Sequence, residues 1–290
     1  MAFSSVHEMI DLCKESGKPL YEVILESDLA ESGLTRAESE AEMHRLWAVM
    51  QATSDGYCGA DRSMSGFAGG DAAKVNAAAA RGVLYADGYF ADVMAEALKT
   101  AECNACMKRI VAAPTAGSCG VLPAVLLPLA RAGQADEDAV CDALYVAAGF
   151  GQVIAARATL AGAEGGCQAE VGIASAMAAS AAVELMGGNP QQCLDAASTV
   201  LMNMLGLVCD PVGGLVEYPC QNRNAAGVAN ALIAAELSLS GIRQLIPFDQ
   251  MLDAMYAVGK RLPAELRETA LGGCAATPAA CAACGLCSGN

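Results

Sequence analysis

Three cysteines sit where the chain is least regular. Cys167 lies in Glu164-Gly165-Gly166-Cys167-Gln168-Ala169-Glu170, while Cys209 and Cys220 bracket the Pro/Gly loop that runs from Asp210 to Pro219. A thiol at the start of a helix is eased toward thiolate, the form that binds metal. Gly166-Cys167 precedes a long helical pattern, and Gly213-Gly214 would let backbone amides approach a bound group. The spacing, C-x41-C-x10-C, contains no short ligand pair. On spacing alone the three thiols are either ligands or small buried hydrophobes.

The remaining cysteines widen the choice. Fourteen in one chain exceed what a reduced protein needs, so metal binding or redox chemistry leads over structural disulfides. Cys274 and the run Cys281-x2-Cys284-x2-Cys287 are similar to the start of a ferredoxin ligand run but lack its closing Cys-Pro. This run is inert, caps a metal site reversibly, or delivers metal. Cys103-x2-Cys106 lies in a predicted helix and reads as packing. The two histidines, His7 and His44, fall in N-terminal helices away from every glycine-rich joint, so no general base is visible.

The elements that must position these groups are helices. Predicted spans are Val6–Glu15, Pro19–Glu26, a capping box at Thr35 opening a helix to Ala52, Asp71–Arg81, Tyr89–Thr100 and Val121–Arg131. Further on come Asp136–Ala148, Gln152–Leu160, Gln168–Met186, Pro190–Leu205, Gln221–Leu239 and Phe248–Arg261. No segment alternates with the period of a strand, so the fold class is all-α, with functional groups in glycine-rich inter-helix loops. The domain boundaries expected are a helical catalytic domain over 1–278 and a Cys-rich flexible tail over 279–290.

Composition agrees. The chain is 54% hydrophobic but only 4% aromatic, so its core must be built from Ala, Leu, Val and Met packed closely. A net charge of -15 argues against nucleic acid and anionic membrane as partners. Glu8, Asp11 and Glu15 interrupt any signal-like apolar stretch, and the longest apolar run, 120–130, is too short to span a bilayer. A cytosolic location is the expectation.

Four strings, in order, carry a resemblance: SGFAGGD (65–71), APTAGSCGVLPAVL (113–126), EGGCQAEVGIASAMAA (164–179) and CDPVGGLVEYPCQNRNA (209–225). Together they resemble the alpha chain of the iron–sulfur-dependent L-serine dehydratases over nearly the whole length. The resemblance implies that Cys167, Cys209 and Cys220 hold a [4Fe–4S] cluster whose fourth iron has no protein ligand and acts as a Lewis acid on the serine hydroxyl. It implies β-elimination of water to pyruvate and ammonia, and a separate beta chain that completes the site; the catalytic base is left unassigned, with the beta chain as one source for it.

Such a substrate needs an anion site for its carboxylate. Thr115, Gly117 and Ser118, leading into a helix, suit that role, with Ser65 and its loop as a second contributor. Arg223 and Asn224, just after the last cysteine, either face the substrate or pin the loop. Rival readings are an L-cysteine desulfidase with the same cluster chemistry and a non-catalytic iron–sulfur carrier. No pyridoxal phosphate is expected, because the six lysines lie outside the glycine-rich joints.

Overall fold

The structure, a computed structural model, describes residues 3–85 and 88–284. Thirteen helices account for the regular structure of these residues: α1 Val6–Ser16, α2 Leu20–Ser32, α3 Arg36–Asp55, α4 Asp71–Ala80, α5 Tyr89–Ala105, α6 Val121–Arg131, α7 Glu137–Arg157, α8 Gly162–Gly165, α9 Val171–Leu185, α10 Pro190–Met204, α11 Cys220–Leu239, α12 Phe248–Arg261 and α13 Pro278–Cys284. Among the described residues no strand forms; one isolated parallel bridge joins Cys209 to Arg267. The fold is all-α.

Local chemistry sets several ends. The Thr35 hydroxyl accepts from the Glu38 amide and the Glu38 carboxylate accepts from Thr35, the reciprocal pair foreseen in the sequence. Asn189 and Gln192 do the same for α10, with Pro190 at the first helical position.

The core is layered around α9. Every residue from Val171 to Val183 is buried, and α6, α7, α10 and α11 pack against this helix from several sides. Its Ala-, Gly- and Ser-rich sequence lets neighbours approach closely. On α11, a Cβ added at Gly227 would lie 2.6 Å from both the Ser175 hydroxyl and a Val171 methyl, so only glycine fits.

The expected break between Asp136–Ala148 and Gln152–Leu160 is absent: one continuous helix, α7, runs from Glu137 to Arg157. Gly149 and Gly151 are packing positions there, facing Ile24 of α2 and Met177 of α9. α7 is the one described helix long and apolar enough to cross a membrane, and 61% of its most apolar window is buried inside the protein. Residues 278–284, expected partly as flexible tail, form α13, which packs on the turn Val212–Gly214. Cys287 lies outside the described residues.

Candidate active site

The glycine-rich joints around Thr115–Gly120, Gly165–Glu170 and Cys209–Cys220 converge at the N-terminal ends of α9 and α11. Cys167 opens a short 3-10 turn, Cys167–Ala169, instead of the helix itself; α9 begins only at Val171. Gly166, at φ +78°, turns the chain into it, where a side chain would strike the Leu207 carbonyl at 2.7 Å. Gln168, 1% exposed, then locks the turn. Its amide nitrogen donates to the Gly165 and Met255 carbonyls at 2.9 and 3.0 Å, and its oxygen accepts from the Gly206 amide at 2.8 Å.

Cys209 is held by its backbone, its amide donating to the Leu266 carbonyl at 2.9 Å and its carbonyl accepting from Glu268 at 2.7 Å. Cys220 is the first residue of α11.

The three thiols stand near enough to disfavour one another's ionisation. Burial pushes Cys167 up to about 11 and Cys220 up to about 12, and burial with Glu170 beside it pushes Cys209 higher still. The ease of thiolate formation expected at Cys167 is therefore outweighed by desolvation in the bare protein. Among the described residues no three His, Cys, Asp or Glu side chains converge tightly enough for a single metal ion. A four-iron cluster takes each thiolate at a different iron, so it needs its ligands spread around a cage. Gly162 packs directly against Cys209: a Cβ there would stand 2.9 Å from the Cys209 sulfur and 2.5 Å from Glu170 Oε2. Three cysteine thiols, the donor type that iron–sulfur clusters take, fit such a group.

Two carboxylates that sequence reasoning left unassigned line the same cleft. Glu170 Oε1 accepts the Thr115 hydroxyl at 3.1 Å, and its Oε2 accepts the Cys209 thiol at 3.8 Å. Burial raises its pKa, with Glu268 adding to the effect. Glu217, 8% exposed, accepts on Oε2 from the hydroxyls of Ser63 at 2.6 Å and of Ser65. Both glutamates stand inside the strings quoted above; a carboxylate three residues after Cys167 and another three before Cys220 was the available signal.

The residues expected at the substrate divide into two groups. Thr115, Gly117 and Ser118 form a 3-10 turn against Glu170, with the Thr115 and Ser118 hydroxyls 3.1 Å apart. A Cβ on Gly117 would meet Val216 at 3.2 Å and Glu170 Oε1 at 3.5 Å, so the turn packs against both. Ser65 commits its hydroxyl proton to Glu217.

Arg223 and Asn224 pin loops. Arg223 donates to the Val208 carbonyl at 2.9 Å and pairs with Asp210 at 2.7 Å, alongside Cys167. Asn224, fully buried, donates to the carbonyls of Gly117 (2.7 Å) and Cys220 (2.9 Å) and accepts from the Gly120 amide (2.9 Å). All its polar capacity toward neighbours is used in tying the TAGSCG turn to the first turn of α11. The histidines stay remote: His7 pairs with Asp11 and His44 with Asp138.

Fold and site define an all-helical enzyme chain whose inter-helix loops gather three thiols, two carboxylates and a hydroxyl-bearing turn. The serine dehydratase alpha chain family matches residues 15–287, and the chain belongs to that family. The L-serine dehydratase alpha chain of Peptoniphilus asaccharolyticus is 44% identical over 273 residues, covering 94% of each chain. A probable L-serine dehydratase alpha chain of Bacillus subtilis is 42% identical over 276 residues, covering 95% of this chain and 92% of its own. L-serine dehydratase 2 of Escherichia coli is 34% identical, with 96% of this chain covering 62% of that longer protein.

Proposed function

We propose that this chain deaminates L-serine to pyruvate and ammonia by β-elimination of water, with Cys167, Cys209 and Cys220 holding a [4Fe–4S] cluster and a beta chain completing the enzyme. The observation that carries the reading is the meeting of these three thiols with Glu170 and the Thr115–Ser118 turn in one cleft. When bound, the cluster supplies a Lewis-acidic iron that makes the substrate hydroxyl a competent leaving group.

The chain's own residues do the rest. The Thr115–Ser118 turn offers the substrate carboxylate the amides of Ala116 and Gly117, which form no hydrogen bond within the described residues, while the Thr115 hydroxyl proton is held by Glu170. Glu170, at the junction of that turn and Cys209, is placed to take the α-proton. Arg223 and Asp210 hold the Cys209 loop against Cys167, and Asn224 fixes the turn relative to Cys220. The aminoacrylate released by elimination tautomerises and hydrolyses in water without further catalysis.

The test is pyruvate formation from L-serine by the chain purified without oxygen together with its beta partner. Activity should require all three cysteines, and Ser at any of them should abolish both the cluster's visible absorbance and turnover. Full activity in the absence of bound iron would overturn the reading, and turnover of L-cysteine in preference to L-serine would reassign the substrate.

A further inference from the structure

The SGFAGGD loop has the glycine content of an anion cradle, yet most of its donors are spent. The Gly70, Asp71 and Ala72 amides all donate to the Glu102 carboxylate, at 2.9, 2.7 and 3.2 Å. The Phe67 and Ala68 amides donate to the hydroxyl oxygens of Ser65 and Ser63, at 3.0 and 3.2 Å, and the Gly66 amide donates to the Ser63 carbonyl. A hydroxyl has one proton, and those of Ser63 and Ser65 both go to Glu217 Oε2, because a carboxylate can only accept. Apart from the Ser65 and Gly69 amides, nothing in this run of amides and hydroxyls is left to hold a second anion.

What the seam does offer is acceptors. Glu217 Oε1 receives no hydrogen bond among the described residues. One helical turn on, Gln221 is 4% exposed, donates its side-chain amide to Asp71 at 3.2 Å, and leaves its oxygen buried without a partner. An unsatisfied buried acceptor is costly unless a donor visits it. Val216, the neighbour of Glu217, stands 3.2 Å from the position of a Gly117 Cβ, so this seam borders the Thr115–Ser118 turn.

We propose that Glu217, with Gln221 beside it, binds the ammonium group of the substrate, making this half of the cleft the selector for an amino acid over a simple hydroxy acid. The proposal rests on the serine reading given above. It gives the cleft two poles: a turn with the Ala116 and Gly117 amides for the carboxylate, and a seam of acceptors for the ammonium. The two serines hold the negative charge of Glu217 in place, and a fixed charge in a partly dry cleft acts strongly on an opposite one.

The deciding measurement is inhibition of the anaerobically assembled holoenzyme by L-alanine and by propanoate, which differ only in the amino group and cannot lose water. The wild type should favour L-alanine by about tenfold or more, the scale of one charge-assisted contact. In Glu217→Gln this preference should shrink by about tenfold, with iron content unchanged and propanoate inhibition as strong as before or stronger. An undiminished preference, or equal weakening toward both compounds, would overturn the assignment. Should the Gln variant fail to fold, the wild type still decides, since equal inhibition by the two compounds excludes an ammonium site. If the holoenzyme turns over no serine, that failure belongs to the proposed reaction. Calorimetric titration of the same two compounds then tests Glu217 by itself.

Discussion

Glu170 touches Cys209: the thiol donates to Oε2 across 3.8 Å while Oε1 holds the Thr115 hydroxyl. One carboxylate therefore joins a proposed cluster ligand to the turn expected to bind the substrate. Glu170→Gln keeps the shape and removes the base. It should lower kcat by about a hundredfold or more with little change in KM, while iron content and visible absorbance remain at wild-type levels. A variant retaining a tenth or more of kcat would take the α-proton away from Glu170.

The close packing of Gly162 on this pair can be disturbed deliberately. In Gly162→Ala the new methyl would lie 2.5 Å from Glu170 Oε2 and 2.9 Å from the Cys209 sulfur. Gly162 starts the short helix α8, away from the α9 core, so the change should spare the helical circular dichroism. Cluster content after anaerobic reconstitution should fall several-fold, read from iron and sulfide per chain. Unchanged loading would mean that the close approach of Gly162 to Cys209 and Glu170 is not needed for the cluster.

Asn224 makes a different kind of prediction, since it touches only protein. Asn224→Ala strands the Gly120 amide and two carbonyls in a fully buried setting, at a cost of about 2–3 kcal/mol in unfolding free energy. Chemical denaturation of the cluster-free chain should register the loss. A shift below about 0.5 kcal/mol would show that the turn is held by other means.

A buried carboxyl remote from the site predicts a pH dependence. Burial, with Asp142 nearby, pushes Glu184 up to about 7, against the lowering effect of the Cys193 thiol that donates to it. A carboxyl raised on folding favours the folded state while protonated, and that advantage disappears as pH rises through the folded pKa. Stability of the cluster-free chain should therefore fall between about pH 5 and pH 8, by roughly 2 kcal/mol. Glu184→Gln should flatten the profile over the same range; an identical slope in the variant would place the titrating group elsewhere.

Much of this architecture was legible in the sequence, for physical reasons that differ by element. Thr35 and Asn189 announced their helices because capping chemistry is local, needing only residues three apart. Cys167, Cys209 and Cys220 stood out because glycine-rich joints interrupt a helical chain. The unity of α7 was hidden, since Gly149 and Gly151 look like a break until Ile24 and Met177 are seen against them. The identity of the pinning residues was hidden too. Arg223 and Asn224 follow a cysteine in sequence, but the Asp210 carboxylate and the Gly117 carbonyl that engage them come from other loops. Ser65 shows the same limit: a hydroxyl in a glycine-rich loop suggests an anion site, and only the fold brings Glu217 to consume its proton.

The bridge between Cys209 and Arg267, together with the bond from the Cys274 amide to Asp210 at 2.6 Å, gives the site a birth order. Cys167, Cys209 and Cys220 all leave the ribosome before residues 264–276, which clasp the loop that bears the second of them. During synthesis the three thiols are thus present but their enclosure is unfinished. Iron delivered at that stage would meet a solvent-open, loosely held set of ligands; iron delivered afterwards meets a formed one. A cluster of the kind proposed would thus find its ligands enclosed only once residues 264–276 have been translated.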